Sequence, residues 1–416
     1  MTPAGTIPLP AVMTAPATRR VFAAVTADGA QARFVGGCVR DALLGRKVKD
    51  IDIATDAAPE RVMRLLEAAG IRAIPTGIDH GTVTAVIERA HYEITTLRHD
   101  VETYGRHAKV AFTDDWMADA SRRDFTMNAL FCALDGTLFD PFGGMADALA
   151  GRVRFVGEPR ARITEDVLRL LRFFRFQAHY GRTAPDPAAL SACMALAPLL
   201  PRLSGERVQG EFLRLLRADD PVPVLRLMVE RSIMAHLLPD AVRLDRLAGL
   251  IALERDPVLC PEDGDPLRRL AALLPDERAV GLRVAERLRL SNEETERLAL
   301  LAAPKRPVDG AYDPKSLRRA LYVMGRDAVR DLLLLATAEG RLSADGLKIA
   351  LALADGWEPM NFPIQGRDVL SFGQRPGPQI GRLLKEVERW WEDRDYRPTR
   401  QQCLEELRRR LPDAGD

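Results

Sequence analysis

The chain has 416 residues, 47% of them apolar, which is enough for several domains with buried cores. Lys and Arg number 60 against 59 Asp and Glu, which excludes an overall polycation, so any nucleic-acid surface has to be a local concentration of charge. The five cysteines (Cys38, Cys132, Cys193, Cys260 and Cys403) lie far apart with no C-x-x-C pair, against a disulfide framework or a zinc site.

No signal peptide is expected in MTPAGTIPLPAVMTAPATRR, and no stretch approaches the apolar length of a membrane span. The expectation is a soluble, cytoplasmic protein. Up to about residue 145 the pattern is mixed α/β, with the β-rich runs QARFVGG, KDIDIA, TVTAVI, YEITTL and ALFCAL bounded by turn residues. RVMRLLEAAG, between the second and third runs, reads as an amphipathic helix ended by Gly70.

The first strand ends on Gly36-Gly37, and VRDALLG then reads as a helix with Arg40 in its first turn. Glycine permits close backbone approach, and free N–H groups at a helix start favour phosphate. Arg40 can add a two-pronged grip on phosphate oxygens. By itself, a glycine pair before a helix is more often a plain turn.

In KDIDIA, Asp50 and Asp52 stand two apart on a strand and project from one face. Carboxylates about 7 Å apart along a strand repel unless water or a cation lies between them. The spacing suits a pair of Mg²⁺ ions, which take carboxylate oxygens and substrate phosphates; a solvated strand face is the alternative. SRRDFTMNAL, at 121–130, follows as an expected helix. There Arg123 can reach phosphate or ribose, Asp124 can accept from a ribose hydroxyl, and Asn128 lies four residues on; a capped helix start would look the same. FDPFGG, at 139–144, reads as a structural turn closing this region.

From about residue 160 the periodicity is helical almost throughout. In ITEDVLRLLRFFRF, at 163–176, Asp166, Arg169, Arg172 and Arg175 recur at three-residue steps along an expected helix. Residues 151–182 hold eight arginines against three acids. One reading is a solvated, salt-bridged face. The other is base recognition, since Asp accepts from an exocyclic amine while Arg donates to ring nitrogens and carbonyls.

These segments resemble a known family. GGCVRDALLGRKVKDIDIAT, RRDFTMNAL, DPFGG, EDVLRLLRFFRF and LSGERVQGEFLRLL occur in the order seen in class II tRNA nucleotidyltransferases, the CCA-adding enzymes, close relatives of bacterial poly(A) polymerases. The resemblance spans about 34–216 and is weaker beyond. It implies an α+β fold: a polymerase β-like nucleotidyltransferase head with a mixed sheet (1–150), then an all-helical neck (151–212), body (213–300) and tail (301–416). It implies addition of CCA to tRNA from CTP and ATP. Asp50 and Asp52 would hold Mg²⁺; Gly36, Gly37 and Arg40 would meet the triphosphate; Arg123, Asp124 and Asn128 would meet the incoming nucleotide. Asp166 and Arg169 would pair with C or A, with Arg172 and Arg175 nearby.

Glu206 and Arg207 match the helix that props the pairing residues, and Glu93 is a candidate third carboxylate. The segment 97–112 matches a flexible loop that relatives need for the A step, although Ala108 stands where many have proline. A poly(A) polymerase and a non-catalytic RNA-binding scaffold are the alternatives. The chain's ending without a basic extension speaks against the first, and its intact aspartates against the second. With no histidine after His236, no C-terminal HD phosphohydrolase domain is expected. The sequence does not specify the oligomeric state.

Overall fold

The computed structural model describes residues 1–104, 107–260, 264–306 and 313–411, with the backbone alone for 100–104 and 107–110. The chain forms two compact units, Met1–Pro239 and Asp240–Asp416. The first is built on an eight-stranded sheet of order β1-β10-β9-β2-β3-β6-β5-β4. Its strands are β1 (Pro3–Thr6), β2 (Ala32–Val35), β3 (Ile51–Thr55), β4 (Arg72–Gly77), β5 (Thr82–Ile87), β6 (Ala90–Thr96), β9 (Phe131–Cys132) and β10 (Thr137–Phe139). The β3–β6 pair is parallel and its neighbours antiparallel, so the sheet is mixed as expected.

Alternation along β3 decides what faces where. Ile51 and Ile53 enter the larger core, where Phe34, Val83 and Ile94 meet Phe22 and Val25 of α1 (Pro16–Val25) and Val62 and Leu66 of α3 (Pro59–Ala68). Ala54 joins a smaller core on the opposite face with Val35, Trp116 and Phe131, and Asp52 shares its parity. A central strand thus carries a carboxylate on its less crowded side. Asp50, expected on the strand, immediately precedes it and is exposed.

Between β2 and β3 lies α2 (Gly37–Leu43), entered through Gly36 at φ +71°, a conformation that favours glycine. The expected loop at 97–112 is instead an antiparallel hairpin of β7 (Arg98–Tyr104) and β8 (His107–Phe112). Ala108 pairs with Thr103 on its backbone, while its side chain and the tip at 105–106 lie outside the described residues.

SRRDFTMNAL is not one helix. α4 (Trp116–Ser121) ends on its first residue, Arg122–Phe125 form a turn, and Thr126–Asn128 make a single 3-10 turn. The reason is close packing from behind. Gly144 lies against the Thr126 carbonyl so tightly that a Cβ would sit 2.0 Å from that oxygen. The Asp140 carboxylate fixes Gly144 by accepting from its N–H at 2.7 Å and from that of Met145 at 3.0 Å.

ITEDVLRLLRFFRF also divides, into α5 (Pro159–Glu165) and α6 (Leu168–Tyr180). Asp166 sits in the break with extended backbone, and its Oδ1 accepts from Leu168 N–H at 3.1 Å. A short carboxylate side chain competes for backbone donors in this way and favours helix starts over interiors. α6 buries Leu170, Leu171, Phe173, Phe174 and Phe176, each contributing about 1.5–3 kcal/mol. Phe176 and Phe155 both lie 4.8 Å, centroid to centroid, from Phe125 of the turn, and α7 (Gly205–Leu216) packs along α6.

The second unit is helical throughout its described residues. It contains a cavity of about 710 Å³ lined by Asp265, Arg268, Arg297 and Asp331 among others. Four of its lining charges pair: Arg268 reaches Asp331 at 3.0 Å, and Arg297 reaches Asp331 at 2.6 Å and Asp265 at 2.9 Å. No described helix is long and apolar enough to cross a membrane.

Candidate active site

The expected site residues all lie in the first unit, in three adjoining groups. The first is acidic. Parallel register places Asp52 of β3 beside Glu93 of β6. Burial, then the Glu93 carboxylate, push the Asp52 carboxyl up to about 6; Arg123 opposes the rise and Asp50 adds to it. These acids hold more negative charge than Arg123 offsets. Among the described residues no set of three or more His, Cys, Asp or Glu side chains encloses a metal site by itself. An acidic, half-open patch fits an ion such as Mg²⁺, which retains water and substrate phosphate in its shell.

The second group is a buried relay. Arg40, expected to grip phosphate, gives both prongs to Asp41, Nε to Oδ1 at 2.9 Å and Nη2 to Oδ2 at 3.0 Å. Its Nη1 donates to Asn128 Oδ1 at 2.6 Å, and the guanidinium stacks 4.1 Å from the Tyr180 ring. Asn128 Nδ2 donates in turn to Asp124 Oδ1 at 2.9 Å. Arginine can only donate and a carboxylate only accept, so the amide has one workable orientation.

Asp124 Oδ1 also accepts from Phe125 N–H, and its Oδ2 accepts from Arg172 Nε at 2.7 Å. Burial alone would raise this carboxyl, but Arg172 and the hydrogen bonds hold it at about 2. Arg172 lies 3.5 Å from Glu211 Oε1, and Arg175 Nε lies 2.8 Å from Oε2 of the same buried carboxylate. Arg40, Asn128, Asp124, Arg172 and Arg175 therefore form a continuous chain from α2 to α6 and α7.

Asp166 and Arg169 make up the third group. Asp166 Oδ2 accepts from Arg207 Nη2 at 2.7 Å, so the α7 arginine does brace Asp166. Arg169 pairs with Glu165 and donates to the carbonyls of Arg162 and Arg122, each at 3.1 Å. Its backbone N–H donates to the Asp166 carbonyl at 3.0 Å, which keeps the two residues one turn apart. Gly36 links the groups: a Cβ there would lie 3.4 Å from Arg123 Nη1 and 3.6 Å from the Asn128 carbonyl. Gly37 opens α2 just behind it.

Sequence reasoning missed the counter-charges: Asp41, Glu165, Glu211 and above all Asp119. Asp119 precedes Arg122 and Arg123 by three and four residues, a spacing that signals pairing on a helix end. Glu211 lies in GERVQGEFLRLL, where spacing reveals only Arg214; its partners Arg172 and Arg175 are 39 and 36 residues upstream and no local pattern points to them.

Residues 32–154 match the family described as "Poly A polymerase head domain", and 184–244 the one described as "Probable RNA and SrmB- binding site of polymerase A". The chain is 35% identical over 382 residues to CCA tRNA nucleotidyltransferase 1, mitochondrial, of Danio rerio, covering 90% of this chain and 86% of that one. It is 33% identical over 374 residues to the CCA-adding enzyme of Lacticaseibacillus paracasei, covering 88% of each. The Bacillus stearothermophilus CCA-adding enzyme in complex with CTP superposes with a TM-score of 0.77 at 29% identity, over 95% of this chain and 98% of that one.

Proposed function

The chain belongs to the CCA-adding tRNA nucleotidyltransferases, and from that premise we propose that its first unit extends tRNA 3′ ends with C, C and A from CTP and ATP, releasing pyrophosphate at each step. Enzymes of this polymerase type depend on a divalent metal, and Mg²⁺ is the ion we assign here, held by Asp50 and Asp52. The single observation that carries the reading is the Asp52–Glu93 register, which sets a carboxylate group beside the Gly36 turn and Arg123.

When bound, the metal supplies an activated 3′-hydroxyl and charge neutralisation at the departing pyrophosphate. The chain's own residues do the rest. Gly36 and Gly37 leave room for the triphosphate at the start of α2, and Arg123 faces its charge. Arg40 is committed to Asp41, so we assign it to holding Asn128 rather than to a free grip on phosphate. Asn128 and Arg172 orient Asp124 for the nucleotide sugar. Asp166 accepts from an exocyclic amine and Arg169 donates to the base edge, while Arg207 and Glu165 hold the pair at fixed spacing. Arg175 supports Glu211 behind them.

Transfer is then chiefly positioning and charge stabilisation, which few side chains suffice to provide. We place the protein in the cytoplasm, a reducing compartment consistent with five free cysteines. The test is incubation of the purified protein with tRNA ending before CCA, plus CTP and ATP. The expected product gains C, C and A and stops. A long A tail would favour the poly(A) polymerase reading, and no extension would remove the enzymatic one.

A further inference from the structure

We propose that Asp119 is a positioning residue for both halves of the reaction: its carboxylate fixes the 121–123 turn, which presents Arg123 to the phosphate side and the Arg122 carbonyl to the base-reading side. This rests on the function proposed above. Asp119 lies near the end of α4 and is 1% exposed. Its Oδ1 accepts from Arg122 Nε at 2.9 Å and Nη2 at 2.6 Å. Its Oδ2 accepts from Arg123 Nε at 3.2 Å and Nη2 at 2.8 Å. The Arg98 N–H, at the base of the hairpin, points at Oδ1 from 3.4 Å.

Two adjacent guanidiniums would repel each other, and only a shared anion keeps them side by side in a protein interior. Burial by itself would raise the Asp119 carboxyl, yet Arg123 and Arg122 outweigh it and hold it below its ordinary value. The anion is thus retained and each of its oxygens is committed to one arginine.

Two consequences follow along the turn. Arg123 keeps Nη1 against the Gly36 opening, and its charge is felt at Asp52. On the other side, the Arg122 carbonyl accepts from Arg169 Nη2 at 3.1 Å, and the Ser121 carbonyl from Arg162 Nη1 at 3.0 Å. A shift of the turn therefore moves Arg123 relative to the acidic group and Arg169 relative to Asp166 together. An amide cannot replace this carboxylate, because one end of Asn would aim N–H groups at a guanidinium.

The experiment measures KM and kcat for CTP and ATP incorporation, with sequencing of 3′ ends, on full-length wild type and Asp119→Asn. A second variant joins Asp119→Asn to Arg122→Gln, removing one charge of each sign so that a single cation, Arg123, stands beside the amide in place of two. The expected result, in whichever variant retains wild-type circular dichroism, is KM raised roughly tenfold, as for loss of one charge-assisted hydrogen bond, and bases misplaced in the added triplet. A folded variant with wild-type KM and an unchanged C-C-A order overturns the proposal, as does a fall in kcat alone, which marks a folding role. Failure of the wild type to extend tRNA would instead sink the proposed function.

Discussion

Asp52 and Asp124 are carboxylates of one unit that environment drives to opposite ends of the range, one to about 6 and the other to about 2. Asp52 is buried beside Glu93, with Asp50 near and Arg123 only partly offsetting them, whereas Asp124 is held by Arg172 and Asn128. The first belongs to an acidic patch, the second is a fixed strut. Asp52→Asn should lower nucleotide incorporation by on the order of 10³, the scale for removing a group that organises transition-state charge, with circular dichroism unchanged; undiminished incorporation would remove Asp52 from the chemistry. Asp124 yields a prediction with a definite sign. Its folded pKa lies below the ordinary carboxylate value, so its contribution, of order 2 kcal/mol, is present above about pH 4 and lost as pH falls through about 2. Denaturant titrations should therefore find wild type more stable than Asp124→Asn at pH 7, with the gap closing below pH 4. A gap independent of pH would show that Asp124 is not the ionised strut. At this scale the sequence offered candidate side chains but not how they are held, because Glu211, which Arg172 and Arg175 share, comes from α7, far along the chain.

Among the elements, strands with alternating apolar residues were legible and irregular segments were not. β2, β5 and β6 lie where their patterns put them. β1, β4, β10 and the β7–β8 hairpin were missed; PAGT and RAIPTG in β1 and β4 lack alternation and carry the Pro and Gly that usually mark turns. RRDFTMNAL and EDVLRLLRFFRF have helical spacing, yet a tertiary contact interrupts the first at the Gly144 approach and a local carboxylate–backbone bond the second at Asp166. Gly144→Ala would press a methyl group onto the Thr126 carbonyl. It should cost at least about 1–3 kcal/mol, the usual cost of overpacking, and lower the melting temperature; an unchanged melting temperature would mean that the turn has slack. The hairpin base is anchored on both sides. Arg98 donates to the His80 carbonyl, and the Phe112 ring sits over Gly81, where a Cβ would meet it at 2.7 Å. Replacing 99–111 by a short turn should leave addition of C and C while stopping the A step. Normal CCA from that variant would detach the hairpin from base switching.

For the whole molecule, the division into a mixed-sheet unit and a helical unit was legible in the change of periodicity near residue 160, although the compact units part at Pro239 rather than there. Periodicity reports where strands stop; packing decides how many helices join the sheet, and α6 and α7 do so through Phe125 and the arginine relay. Transfer should cease when divalent ions are chelated and return with Mg²⁺; activity persisting under chelation would contradict the acidic-patch assignment. The proposed function divides the labour, with transfer on the sheet carboxylates and base choice beside α6. It stands or falls on sequencing the 3′ ends that Asp166→Ala adds to tRNA ending before CCA, with CTP and ATP both present. Nucleotides are expected still to be transferred, with C and A misplaced. An unaltered C-C-A in every product would contradict it.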